Sequence, residues 1–351
     1  MKILMNKFPK INFKANTGAT SPIAEHSQTQ PQGINPQPSQ DTFEKNKSPQ
    51  KTNQSTTNIF YVNDIHGRIG NMARIYSAKE LFDNNNKDTQ ADKLVLSAGD
   101  ISAGSDPKIV KASNTYMNAL GIDATADGNH EYDANPDEIA VAKKDAKFKS
   151  LGMNLEIPKG NPMDGVIQKS FVLEKNGHKY AIIGLAPPDL HERIRDNESR
   201  KQIGVDDFAK TLKDIQNVVD DYKKQGINKV ILLSHSGLTK DQQIAKETSG
   251  IDVIVGGHTH DLLKGVEDGK NLLYSKANEP VIITQAGKDG EYFGDLKITW
   301  DDDTGTLVQV QNNVTPSNSF KRNRVMKGVF DHILGKPEHL GEIKTAFLVF
   351  K

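Results

Sequence analysis

The chain has 351 residues, and its 45 lysines and arginines are balanced by 45 aspartates and glutamates. This neutral composition gives no support for a nucleic acid or an anionic membrane as a partner, because both are recognised through excess positive charge. The chain contains no cysteine. Disulfides and thiolate ligands are therefore excluded, and any metal ion must be held by His, Asp, Glu or Asn side chains.

The N-terminal part of the chain differs in composition from the rest. Residues 17–57 contain seven Gln and five Pro and few apolar residues, which predicts a disordered tail over residues 1–57. The apolar run ILM at positions 3–5 is much shorter than the roughly 7–15 residues of a secretory signal. No run is long enough to cross a bilayer. The default expectation is therefore a cytoplasmic location.

From residue 58 onward, short apolar runs alternate with helical patterns. The runs are rich in β-branched residues and predict buried strands: NIFYV, KLVLSA, IDATA, KYAIIGLA, KVILLS, IDVIVGG and PVIITQAG. Helices are predicted over residues 71–82, 107–120, 136–148, 206–224 and 240–247. A final hairpin is predicted in EYFGDLKITWDDDTGTLVQVQ, with DDDTG as its turn. Strands that alternate with helices and end in a hairpin indicate an α/β domain with mixed sheets.

Five polar clusters directly follow predicted strands: NDIHG (63–67), AGD (98–100), GNHEYD (128–133), SHSG (234–237) and GGHTH (256–260). In open α/β sheets, ligands bind in the crevice beyond the carboxyl ends of the strands, so we expect these clusters to converge. A single His at a strand end is usually a surface histidine. Five clusters in this arrangement are difficult to explain as solvated loops.

The side chains of these clusters offer oxygen and imidazole nitrogen atoms only. That donor set suits Mn, Zn, Fe, Co or Ni. Seven candidate ligands are too many for one tetrahedral ion and suit two ions that share a carboxylate. The candidates are Asp64, His66, Asp100, Asn129, His235, His258 and His260.

The stretches NDIHG, GIDATADGNHEYD, GGHTH and ITQAGKDGEYFGDLKI, in this order, resemble the calcineurin-like metallophosphoesterases. Within that family they are most similar to the catalytic domain of the 5′-nucleotidase and UDP-sugar hydrolase branch. The resemblance implies a four-layer α-β-β-α sandwich of two mixed sheets with outer helices. It implies a metallophosphoesterase domain over residues 58–316, followed by a C-terminal tail or helix over residues 317–351.

The same resemblance assigns a role to each candidate residue. It implies that Asp64, His66 and His260 hold one metal ion, and that Asp100 bridges it to a second. The second ion is then held by the remaining three candidates, Asn129, His235 and His258. His130 is expected to face the phosphate rather than a metal, where it stabilises charge or protonates the leaving oxygen. Asp133 is expected to orient and charge His130, and Glu131 to brace the loop.

The resemblance implies a dinuclear metal-dependent phosphoesterase, of the 5′-nucleotidase type that hydrolyses nucleotides or small phosphate monoesters. The expected partner is a small phosphorylated substrate, with no nucleic acid and no membrane, and the oligomeric state is left open. One alternative is a phosphodiesterase acting on cyclic nucleotides or other diesters. Another is a scaffold without catalysis, which the filled ligand positions disfavour. A metal-dependent nuclease is disfavoured by the neutral charge.

The resemblance ends near the predicted hairpin, whereas enzymes of that branch usually continue into a second domain that stacks the base between aromatic side chains. Two interpretations of the charged segment PPDLHERIRDNESRKQIGV (187–205) remain open. Arg193 or Arg195 could partly replace the phosphate clamp of that domain, or the segment could be a solvated loop.

Overall fold

The computed structural model describes residues 42–44 and 53–336. Its strands, in chain order, are β1 (Thr42–Glu44), β2 (Gln54–Val62), β3 (Asp92–Ser97), β4 (Ala124–Ala126), β5 (Lys149–Leu151), β6 (Leu155–Glu156), β7 (Ser170–Lys175), β8 (His178–Leu185), β9 (Gly204–Val205), β10 (Lys229–Ser234), β11 (Val253–Gly256), β12 (Leu272–Tyr274), β13 (Pro280–Thr284), β14 (Tyr292–Asp301) and β15 (Leu307–Pro316). The helices are α1 (Ile69–Asn86), α2 (Pro107–Leu120), α3 (Pro136–Lys144), α4 (Leu190–Arg193), α5 (Asn197–Gln202), α6 (Phe208–Lys224), α7 (Leu238–Glu247) and α8 (Arg324–Ile333).

The strands form two large mixed sheets. The first has seven strands in the order β1-β15-β14-β2-β3-β4-β5, and the second has six in the order β12-β13-β11-β10-β8-β7. Strands β2 to β5 run parallel in the first sheet, and β8, β10, β11 and β13 run parallel in the second. The hairpin β14–β15 adds antiparallel strands beside β2. Strands β6 and β9 form a separate pair.

Three apolar cores separate four layers. The core between the sheets includes Leu94 and Trp300 from the first sheet and Ile231 from the second. A second core packs α1, α2 and α8 on the outer face of the first sheet, and a third packs α6 and α7 on the outer face of the second. This arrangement confirms the predicted α/β sandwich of two mixed sheets with outer helices.

Local sequence signals explain where several helices begin. Asp106 caps α2 by accepting a hydrogen bond from the backbone N–H of Lys108, and Pro107 occupies the first turn. Asn135 caps α3 in the same way, and Asp207 caps α6. Such side chains satisfy backbone donors that have no partner inside the helix. Helix α2 matches its predicted bounds, whereas α3 ends four residues early because the chain must extend into β5.

The described strands reach into the segment predicted to be a disordered tail. Strand β1 and the first four residues of β2 lie within residues 1–57, and residues 1–41 and 45–52 lie outside the described residues. Edge pairing uses backbone hydrogen bonds, so the polar composition of this segment does not prevent it. At the other end, α8 lies within the predicted C-terminal segment, and residues 337–351 lie outside the described part. The predicted domain boundaries remain a prediction.

None of the helices within residues 53–336 is long and apolar enough to cross a membrane.

The single tryptophan of the chain, Trp300, is fully buried between the sheets, where its ring N–H donates to Thr57 Oγ1 at 2.8 Å. We expect Trp300→Ala to lower the free energy of unfolding by about 3–5 kcal/mol, because it leaves a large cavity and removes a buried hydrogen bond. Urea unfolding followed by circular dichroism measures the change. The control is Val325→Ala, at a side chain that is 45% exposed, with an expected change below about 0.5 kcal/mol. A similar small change for Trp300→Ala would contradict the prediction.

Candidate metal centre

The five polar clusters converge where the carboxyl ends of the parallel strands of both sheets meet. After β2, the backbone N–H of Asp64 donates to the carbonyl of Gly99 and that of His66 to the carbonyl of Asp100, both at 2.9 Å. From the second sheet, His235 follows β10 and its Nδ1 lies 2.5 Å from the carbonyl oxygen of Ala98. The loops of the two sheets are therefore tied to each other directly, as expected for ligand sites in open α/β sheets.

The backbone at this junction is conformationally unusual. Eight described non-glycine residues have positive φ angles, and six of them lie here: Asp64, His66, Asp100, His258, His260 and Asp289. A left-handed conformation costs roughly 1–3 kcal/mol for such residues and persists where the surrounding structure imposes it, typically at functional sites. Five of the six are predicted metal ligands, so the strain coincides with the residues that the sequence singles out.

Two buried carboxylates form the centre of the cluster. Oδ2 of Asp100 lies 3.1 Å from Nε2 of His235 and 3.5 Å from Nε2 of His66. Oδ1 of Asp64 lies 3.4 Å from Nε2 of His260 and 3.9 Å from that of His66. Asp100 thus lies between histidines that belong to the two different predicted ion sites, which is where a bridging carboxylate must be.

Two observations show that this donor set fits metal ions. Ligand atoms bound to one ion at roughly 2.0–2.2 Å lie about 3–3.5 Å from each other, and the closer carboxylate–imidazole separations fall in that range. In addition, Nε2 of His235 is buried, and its 3.1 Å approach to Asp100 Oδ2 does not have hydrogen-bond geometry, so this nitrogen has no hydrogen-bond partner among residues 53–336. Nδ1 of the same ring faces the Ala98 carbonyl. A buried polar atom without a partner is costly, and a cation at this position removes the cost.

Electrostatics indicate the same requirement for positive charge. Burial lowers the pKa of His235, but the carboxylates of Asp100 and Asp64 outweigh it and raise that pKa to about 10. Burial lowers the pKa of His258, which favours the neutral ring that a metal ligand needs.

The remaining predicted ligands, Asn129 and His258, are placed less closely around the carboxylates of Asp64 and Asp100. Asn129 is 7% exposed and is placed through its backbone, because the next N–H, of His130, donates to Asp100 Oδ1 at 2.8 Å. The ring of His258 lies 5.1 Å from that of His235, centroid to centroid. In the described part of the chain, three groups of acidic and histidine side chains have ligand atoms within 4.8 Å of one another, and His258 belongs to none of them. The assignment of each ligand to an ion remains a prediction.

His130 and Asp133 form a close pair beside the cluster. Nδ1 of His130 lies 2.6 Å from Asp133 Oδ2, and this hydrogen bond raises the pKa of His130 above its ordinary value. One ring nitrogen of His130 also lies within 4.8 Å of ligand atoms of His66 and Asp100. Between the two residues, Glu131 accepts hydrogen bonds from the backbone N–H groups of Asp100, Ile101 and Gly128, so it braces the loop as expected.

Comparisons with known proteins agree with this geometry. A sequence model described as calcineurin-like phosphoesterase matches residues 57–262. The chain belongs to the calcineurin-like phosphoesterase family. The predicted family is therefore confirmed.

Curated relatives of this phosphoesterase carry nucleotidase names. The chain is 29% identical over 221 residues to a probable 5'-nucleotidase of Treponema pallidum (strain Nichols), and the match covers 59% of this chain and 36% of the relative. It is 27% identical over 302 residues to a 5'-nucleotidase of Mus musculus, covering 77% of this chain and 50% of the relative. The chain thus spans half or less of the length of these relatives.

Solved structures share the fold. A 5'-nucleotidase precursor from Thermus thermophilus superposes with a TM-score of 0.68 at 23% identity, over 80% of this chain and 59% of that chain. The calcineurin-like phosphoesterase YfkN from Bacillus subtilis gives a TM-score of 0.64 at 18% identity, over 85% of this chain and 99% of that chain.

Two acidic residues of the site were not predicted from the sequence. Asp289 lies 3.2 Å from Nδ1 of His66 and 3.1 Å from Nε of Arg68. Oδ1 of Asp189 lies 3.2 Å from Nε2 of His258. Both residues follow parallel strands of the second sheet, β13 and β8, as the five clusters follow theirs. Applying the strand-end rule to every predicted strand would have found them.

Gly128 packs directly against Asp100, the predicted bridging residue. A Cβ atom added there would lie 2.2 Å from Asp100 Oδ1 and 2.8 Å from the backbone nitrogen of Asp100. We expect Gly128→Ala to displace the carboxylate and to lower the affinity for metal by about tenfold or more, as when a group that orients a metal ligand is changed. Metal content after dialysis measures this. Gly70→Ala is the matched control, since its Cβ would meet only the flexible end of Arg322. Unchanged metal content in Gly128→Ala would contradict the assigned position of Asp100.

Proposed function

We propose that the chain is a dinuclear metal-dependent phosphoesterase that hydrolyses phosphate monoesters, namely nucleotides or small phosphate esters. The observation that carries the proposal is the convergence of predicted ligands from both sheets around Asp64 and Asp100, with the His130–Asp133 pair directly beside them. The nucleotidase names of the relatives support a nucleotide as one class of substrate.

In this proposal, Asp64, His66 and His260 hold one ion. Asn129, His235 and His258 hold the second, and Asp100 serves both. Ions bound there would polarise a phosphoryl oxygen as Lewis acids, and would lower the pKa of a bound water so that a nucleophile is available at neutral pH. Imidazole and carboxylate donors suit Mn, Zn, Fe, Co or Ni.

His130 is proposed to act on the substrate rather than on an ion. Asp133 faces its Nδ1 at 2.6 Å and also accepts from the backbone N–H of Gly104 at 2.8 Å. The second contact fixes the carboxylate, and the carboxylate fixes the ring and its proton. Nε2 is then the free nitrogen, available to donate a proton to the leaving oxygen or to stabilise the charge that develops on the phosphoryl group.

Arg195 adds positive charge at the same place. Its Nε lies 3.8 Å from Oδ1 of Asp133, and its side chain is largely exposed. A guanidinium at this distance contributes mainly through its charge, because the separation exceeds that of a hydrogen bond. We propose that its charge attracts the anionic substrate toward His130, and that it thereby partly replaces the phosphate clamp considered for this segment.

The function is tested with a substrate panel. Metal-free protein is loaded with Mn²⁺, Zn²⁺, Co²⁺ or Ni²⁺ and assayed on AMP, UMP, p-nitrophenyl phosphate and bis(p-nitrophenyl) phosphate. We expect hydrolysis that requires metal, with higher kcat/KM on the monoesters than on the diester. Asp100→Asn is expected to lose metal and activity together. Faster cleavage of the diester would favour a phosphodiesterase, and no hydrolysis with any loaded metal would contradict the proposal.

The role of His130 is tested separately. We expect His130→Ala to retain its metal ions and to lose kcat by about 100-fold or more, as on removal of an acid–base or charge-stabilising group. The matched control is His178→Ala, which removes another histidine paired to a carboxylate, Asp92, away from the centre. Loss of metal from His130→Ala would show that His130 is a ligand.

A further inference from the structure

Three histidines of the site share one arrangement, in which each faces an aspartate that in turn faces an arginine. The first chain is His66–Asp289–Arg68, at 3.2 and 3.1 Å. The second is His130–Asp133–Arg195, at 2.6 and 3.8 Å. The third is His258–Asp189–Arg193, at 3.2 and 2.8 Å. The third lies on the predicted second ion site, and no role has been assigned to its aspartate.

The segment that carries Asp189 is anchored in the protein core. Leu190, Ile194 and Ile203 are buried and form an apolar cluster with Tyr132, which belongs to the loop of His130. This anchoring contradicts the interpretation of residues 187–205 as a solvated loop. Asp189 is thereby held at a defined place relative to the metal centre.

The carboxylate of Asp189 does not serve its own helix. Asp189 occupies the capping position of α4 but makes no side-chain capping hydrogen bond. Its Oδ2 accepts from Nε of Arg193, and its Oδ1 is a buried atom without a hydrogen-bond partner among the described residues. A buried carboxylate oxygen without a donor is costly, so the contact of Oδ1 with Nε2 of His258 requires an explanation.

Metal ligation by His258 provides the missing donor. Because Nε2 faces Asp189, Nδ1 is the ring nitrogen left for an ion. A ligating nitrogen carries no proton, so ligation through Nδ1 places the ring proton on Nε2, the nitrogen that lies 3.2 Å from Oδ1. Metal-ligating histidines commonly donate their other N–H to a carboxylate, which fixes the tautomer and the orientation of the ring.

We propose that Asp189 is the positioning residue of His258, and that Arg193 holds Asp189 in place. The proposal rests on the proposed two-ion centre. It predicts that the two ions depend on different aspartates, the second on Asp189 and the first on Asp289, which faces His66. Removal of such a partner typically costs 10–100-fold in metal affinity.

The test is a titration of the chelator-treated 351-residue chain with Mn²⁺, in which calorimetry measures the binding heats and metal analysis measures the bound metal. We expect two ions per wild-type chain. Asp189→Ala should lower the affinity for one ion by about 10–100-fold and leave the affinity for the other unchanged. Asp189→Glu should recover part of the lost affinity. The double variant Asp189→Ala with Asp289→Ala should lower the affinity for both ions. The control Glu192→Gln removes one negative charge from α4 at an exposed side chain and should behave as wild type. Thermal unfolding in chelator should be equal for all single variants.

Wild-type affinity for both ions in Asp189→Ala would overturn the proposal. An equal loss of affinity for both ions in Asp189→Ala would also overturn it, because the effect would then be general rather than specific to His258. A wild-type chain that binds fewer than two ions overturns the two-ion centre and this inference with it. If the titrations follow the expectation but no ester is hydrolysed, only the proposed function fails and the role of Asp189 stands.

Discussion

The site is organised around two carboxylates buried at the junction of the two sheets. Asp64 is fully buried and Asp100 is 2% exposed, and their oxygens face imidazole nitrogens on several sides. Buried charge is tolerated only when it is paired or when it binds metal. Each carboxylate also accepts backbone or amide hydrogen bonds, from Asn63 and His258 at Asp64 and from His130 at Asp100. The surrounding loops therefore stabilise negative charge, and this fits a pair of cations.

The loops reach this arrangement at a conformational cost. The chain leaves each parallel strand with a sharp turn, and aspartate and histidine adopt left-handed backbone conformations that other residues avoid. Close packing leaves no room for a side chain at Gly128 or at Gly257, where a Cβ would lie 2.9 Å from Nδ1 of His235. The three apolar cores of the sandwich hold the strands that carry these turns. The stability of the whole fold thus maintains the local strain.

An outer layer of charged residues surrounds the centre. Carboxylates face the outer nitrogens of His66, His130 and His258, and an arginine lies against each carboxylate. Each arginine balances the charge that its aspartate brings to the site. The segment 187–205 supplies two of the three arginines, so it contacts both the proposed phosphate-facing histidine pair and His258 of the predicted second ion site. Although the segment is highly charged, its buried apolar side chains pack into the protein core and fix its position.

Much of this protein follows from the sequence alone, because the physical signals are local. Apolar runs of β-branched residues separated by helical patterns indicate alternating strands and helices, and residues such as Asp106 with Pro107 mark a helix start. A polar residue directly after a buried strand, as at Asp100, indicates a ligand site at that edge. The family can be recognised from motifs whose residues are contiguous in the chain, so the recognition does not require knowledge of the fold.

Only the tertiary structure decided which separate stretches face one another. The partners of His66 and His258 lie 223 and 69 positions away in the chain, at Asp289 and Asp189, and no local pattern records such pairings. Strand β1 was likewise missed, because edge pairing with β15 depends on backbone hydrogen bonds rather than on side chains. Local chemistry depends on residues that are close in the chain, whereas the pairing of each aspartate with its histidine and the pairing of edge strands depend on how the two sheets pack.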